Sequence, residues 1–147
     1  MIMEDSTFIA SLKNLFEHSF CSPFRYLTDS TPHLGSFRAA QLNRKVQKIV
    51  QDDLAVVATL SNWLYQEGNL APPPAPPIDM ASEHYVDLEY LLGELISFKK
   101  QSVDLFAKTQ LQATGEDAST RLAKWVALNK QHLQQLEALQ AEMGSGV

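Results

Sequence analysis

A single apolar stripe limits what this chain can fold into. Leu42, Val46, Ile49, Val50, Val56, Val57, Leu60, Trp63 and Leu64 recur with the helical period inside residues 36–67. At 1.5 Å per residue, an unbroken helix over that stretch is about 48 Å long. Such a stripe must be covered by other packed elements. Gly68 and Asn69 supply its stop signal.

Three further stretches can provide the cover. Residues 6–20 carry Phe8, Leu12, Leu15 and Phe16 at helical spacing, with Asp5 or Ser6 as the expected cap and Ser22-Pro23 as the end. Residues 81–111 carry Tyr85, Leu88, Leu92, Leu95, Val103 and Phe106 on one face. Residues 117–142 carry Leu122, Trp125, Val126, Leu133, Leu136 and Leu139, after Gly115 and with Asp117 or Ser119 as cap. No strand-like alternation of useful length and no internal repeat interrupts the pattern. The 147 residues, 45% hydrophobic and 20% charged, suit one soluble domain. The expected fold is all-α: a single four-helix bundle over 1–147.

The connection between the second and third helices is unusual. Residues 68–80 contain Ala-Pro-Pro-Pro-Ala-Pro-Pro at 71–77. In polyproline II those seven residues span about 22 Å. A stiff crossover of that reach allows helices two and three to run parallel, which a short hairpin loop does not. The same stretch could also serve as a ligand for a proline-binding module. Residues 23–35 carry two prolines and several turn formers and predict irregular chain. The apolar residues Phe20, Phe24, Tyr26 and Leu27 must cover the bundle or form a patch for a partner, a second copy being the alternative.

Charge and the chain ends exclude several classes. A net charge of −5, from 12 basic and 17 acidic residues, argues against a nucleic-acid binder. The longest apolar run, Leu54 to Leu60, has seven residues. A membrane span needs about 20, so no membrane partner is expected. Met1 to Leu12 include two acids by position 5 and no basic leader, so a secretory signal is not expected. Cys21 is the one cysteine and cannot close an intramolecular disulfide, which suits the cytoplasm.

The informative residues are polar and lie within the apolar stripes. Asp53 has Ile49, Val50, Val56 and Val57 at three and four residues on either side, so its carboxylate is expected to point inward. Lys99 follows Leu95 and Ile96 and precedes Val103. Asn129 follows Trp125 and Val126, and His132 stands beside Leu133. Ionised groups are seldom buried without partners. Each residue could instead sit at the edge of its stripe, with Lys99 reaching water along its apolar stem.

With these positions in view, the chain resembles the ferritin-like, rubrerythrin-type bundles over roughly residues 36–142. Their di-metal site takes a glutamate from each of two helices and a Glu-x-x-His pair from each of the other two. Asp53-Leu54-Ala55-Val56 looks like one such pair, with aspartate for the glutamate and Val56 for the histidine. Asn129-Lys130-Gln131-His132 looks like the other, with His132 kept and Asn129 for the glutamate. Lys99 falls where the third helix would offer a bridging glutamate, and the first helix supplies no ligand. Of about six ligands, Asp53 and His132 remain. The resemblance therefore implies a ferritin-like fold without its metal chemistry. It predicts no metal and no cofactor, with Asp53, Lys99, Asn129 and His132 as vestigial positions. Lys99 is then expected to pair with Asp53, with Asn129 and His132 completing a hydrogen-bond network.

Other chemistry finds little support. Glu83 and His84 are adjacent, and no His-x-x-x-His or His-Glu-x-x-His spacing occurs. Cys21 lies three residues from His18 without an orienting third group. Gly93 interrupts a helix and is expected to mark close packing. Arg38, Arg44, Lys45 and Lys48 give the second helix a basic start, and Gln131, Gln134, Gln135 and Gln140 an exposed end to the fourth. Three functions follow as expectations. The first is a non-enzymatic binding or structural module on a ferritin-like bundle. The second is a metal-binding, iron-handling or oxidase-like protein with an incomplete or shared site. The third is a helical adaptor that binds a protein partner through its surface or its proline segment.

Overall fold

The computed structural model describes residues 2–22, 37–67 and 88–145, with side chains over 7–22, 44–67 and 92–142. Four helices make up the described chain: α1 (Ile2–Phe20), α2 (Phe37–Gln66), α3 (Leu88–Leu111) and α4 (Glu116–Ser145). No strand occurs among the described residues. The expected proline crossover at 68–80, the irregular stretch 23–35 and the start of the third helix at 81–87 lie outside them.

Two expected caps fall elsewhere. Asp5 and Ser6 lie inside α1, which begins at Ile2. Asp117 and Ser119 lie inside α4. Its first intrahelical bond runs from Ser119 N–H to the Gly115 carbonyl at 3.2 Å. Glu116 and Asp117 then occupy the first turn, where the exposed N–H groups favour negative charge. Gly115 makes the corner with φ at 103°, a conformation L side chains rarely adopt.

Direction follows from which residues meet. Across α1 and α2, Phe8 packs edge-on to Trp63 at 5.8 Å, so the start of α1 lies at the end of α2. Across α1 and α3, Ser11 bonds Gln112 while His18 bonds Ser102. Across α2 and α4, Trp63 meets Trp125 while Asp52 meets His132. Across α3 and α4, Phe106 meets Trp125 while Lys99 meets Asn129. All four pairs are antiparallel. Helices α2 and α3 therefore point the same way, and α1 and α4 point the other. Each of α1 and α4 packs against both α2 and α3, which places α2 and α3 diagonally across the bundle.

The core divides into two apolar parts. One gathers Phe8, Leu12, Leu15, Phe16, Val56, Leu60, Trp63, Leu64, Phe106 and Leu122 from all four helices. The other gathers Val46, Ile49, Val50, Leu92, Leu95, Ile96, Leu136 and Leu139 from α2, α3 and α4. On each of those three helices, the residues between the two parts include Asp53, Lys99, or Asn129 with His132. Val103, expected on the buried stripe of α3, is half-buried, and Ser102 takes the inward position.

Among the described residues Gly93 is not a close-packing site, because a Cβ there meets nothing of them within 4 Å. Gly93→Ala is therefore expected to stabilise the fold by about 0.5–1 kcal/mol through helix propensity. Gly115→Ala, although also unobstructed, should cost about 1–2 kcal/mol through its backbone conformation. Urea unfolding of the two variants should show opposite signs.

Candidate functional site

A buried Ser or Thr on a helix can satisfy its hydroxyl on the backbone carbonyl one turn earlier. On α3, Ser102 donates to the Phe98 carbonyl at 3.0 Å and Thr109 to the Leu105 carbonyl at 2.8 Å. Lys99 has to find partners on other helices. Its ammonium donates to Asp53 Oδ1 at 2.7 Å, Asp53 Oδ2 at 2.9 Å and Asn129 Oδ1 at 2.8 Å. Lys99 is 1% exposed and the Asp53 side chain 18%. The pair spans the diagonal between α2 and α3, at the centre of the bundle.

The protonation states follow from the partners. Asn129 Nδ2 donates to the Trp125 carbonyl at 2.9 Å, which turns its oxygen toward Lys99. Three oxygen acceptors around one nitrogen require the charged ammonium. Burial nevertheless lowers the Lys99 pKa from its usual range, and the Asp53 carboxylate opposes that shift.

His132 joins the cluster from α4 in an unexpected way. It bonds Asp52, through Nε2 to Oδ2 at 2.9 Å. Its Nδ1 lies 3.7 Å from Asp53 Oδ1, beyond hydrogen-bond range. Because a carboxylate only accepts, Nε2 carries the hydrogen and Nδ1 the lone pair of the neutral ring. Burial lowers the His132 pKa first and the Lys99 charge second, while Asp52 and Asp53 act the other way.

A second histidine borders the cluster from α1. His18 stacks on Phe98 at 4.4 Å and 5°, and its Nε2 lies 2.9 Å from Ser102 Oγ. Ser102 already donates to Phe98, so His18 Nε2–H is the donor in that bond. Burial, then the nearby Lys99 charge, pushes its pKa down to about 4.

The four residues singled out from sequence thus belong to one cluster. Sequence reasoning missed Asp52, His18 and Ser102. The adjacent Asp52-Asp53 pair was a usable signal for the first, since neighbours on a helix are about 100° apart and can serve two different helices.

The arrangement does not fit a metal centre. Lys99 places a positive charge against Asp53 and Asn129, and that charge repels a cation there. No group of three or more His, Cys, Asp or Glu is placed to hold a metal among the described residues. Among the described residues, the space beside Lys99 is small. The void lined by Ser19, Ser22, Asp53, Val56, Phe98, Lys99, Ser102, Phe106 and Asn129 measures ≈ 10 Å³, room for about one water. A far larger open cleft, ≈ 480 Å³, lies at the end of the bundle between Phe8, Trp63, Glu67, Glu116, Asp117 and Arg121. There the Arg121 guanidinium sits 4.7 Å over the Trp63 ring. Trp63 is ten residues along α2 from Asp53, about 15 Å, so cleft and cluster are separate.

No helix among the described residues is long and apolar enough to cross a membrane. Comparison with family models, curated proteins and solved structures finds no match to this chain.

Proposed function

We propose that this chain is a ferritin-like bundle in which a lysine-centred charge cluster stands in place of a di-metal centre, and that it acts as a non-enzymatic binding or structural module. One observation carries this reading: the Lys99 ammonium lies between Asp53 and Asn129 at the bundle centre. Losing a dication leaves buried carboxylates uncompensated, and an ammonium restores the balance. The parallel course of α2 and α3 supports the long proline-rich crossover expected at residues 68–80, as the ferritin-like topology requires. The small size of the void beside Lys99 favours a structural role for that amine over a reactive one.

Elemental analysis of protein purified without chelators tests the proposal. Iron, manganese and zinc should each be far below one ion per chain. Near-unit occupancy by any of them would overturn it.

A further inference from the structure

The open cleft of ≈ 480 Å³ at the end of the bundle falls within the size range of small-molecule sites. The start of α1, the end of α2 and the start of α4 border it. Phe8 and Trp63 supply an apolar wall, with their rings edge-on at 5.8 Å and almost wholly buried. Glu67, Glu116 and Asp117 place exposed carboxylates along the same cleft.

The position of Arg121 says what the cleft can hold. Arg121 lies one turn after Asp117 on α4, the spacing at which an acid followed by a base forms a stabilising pair. Yet neither Asp117 nor Glu116 makes an ion pair among the described residues. Arg121 instead holds its guanidinium 4.7 Å over the Trp63 ring. The π-electron face of tryptophan attracts cations more strongly than any other aromatic side chain does. Trp63 is therefore a seat for a cation, and Arg121 occupies it with a second partner one turn away.

We propose that the cleft binds a small aliphatic amine or guanidine, whose cation takes the Trp63 face while Arg121 turns back to Asp117. Arg121 gains an ion pair as it gives up the ring, so the exchange costs little. The alkyl stem of the ligand lies along Phe8, and the carboxylates of Glu67 and Glu116 attract its charge. Among the described residues lining the cleft, three carboxylates face one guanidinium, which favours a cation over an anion. The first turn of α4 has N–H groups that favour negative charge, and Glu116 and Asp117 supply it from within that turn. The cleft is separate from the Lys99 cluster, so its ligand is independent of the metal content at the bundle centre.

The test is an NMR titration of the ¹⁵N-labelled full chain with agmatine, with inorganic phosphate as the anionic probe. Agmatine should shift the Trp63 indole N–H and the amides of residues 115–121 saturably, and leave those beside Lys99 unmoved. Arg121→Gln clears the ring face and should tighten agmatine binding about threefold, whereas Asp117→Asn should weaken it about threefold. Both side chains are exposed, so neither variant threatens the fold. Absence of a saturable Trp63 shift, or weaker agmatine binding in Arg121→Gln, would overturn the proposal. So would phosphate moving the same signals and losing that effect in Arg121→Gln, since the cleft would then be an anion site.

Discussion

Lys99→Ala should lower the unfolding free energy by about 3–5 kcal/mol, because it strands Asp53 as an unpaired charge in the core. Asn129 Oδ1 would lose its donor in the same substitution. Lys99→Met combined with Asp53→Leu should regain much of that loss, since the desolvation cost disappears with both charges. Urea unfolding of the single and double variants checks both statements. A double variant no more stable than Lys99→Ala would count against the pair as the cause. A loss below about 0.5 kcal/mol for Lys99→Ala would place the lysine energetically at the surface.

Acid should weaken the fold through its buried histidines. The unfolded chain binds a proton at His18 near pH 6.5, but the folded chain does so only near 4. Between those values the unfolded state holds more protons, so stability rises with pH. The His18 contribution is therefore complete above about pH 6.5 and falls away as the pH drops toward 4. With its partial exposure discounted, it amounts to about 2 kcal/mol. His132 acts in the same direction, since its pKa is also lowered. Denaturant unfolding between pH 7 and 5 should show the larger part of this loss. His18→Gln should reduce the slope, and an equal slope in that variant would exclude His18 as its source.

Periodicity showed that Lys99, Asn129 and His132 point inward, but it misplaced Val103 and did not show which residues meet. Asp53 was legible because β-branched residues flank it at three and four positions on both sides. Lys99, Asn129 and His132 were legible for a related reason, each falling on an apolar face. The partner of His132 was not, because pairing between helices depends on their relative height and rotation. Asp52 lies off the α2 stripe by one residue, and that offset turns it toward α4. His18 looked like a neighbour of Cys21 in sequence, whereas α1 packs it against Phe98 and Ser102 of α3. Gly93 misled because glycine in a helix commonly signals close approach, and here a Cβ meets nothing within 4 Å among the described residues.

Two apolar cores with charged groups between them also fix how the helices line up. Leu, Ile and Val surfaces tolerate a shift of one helical turn, about 5.4 Å, with modest loss. The Lys99 bonds do not, because a shifted α3 would set the ammonium against Ile49 and Val50 or against Val56 and Val57 instead of Asp53. The ion pair therefore selects one register among several that the apolar faces alone would accept, a role well attested for buried polar groups in helical assemblies. Its removal separates two properties that usually fall together. The K99M/D53L chain should be nearly as stable as the parent, yet populate more than one alignment of α3. A single amide cross-peak per residue in the parent and multiplied peaks along α3 in the double variant would record that difference.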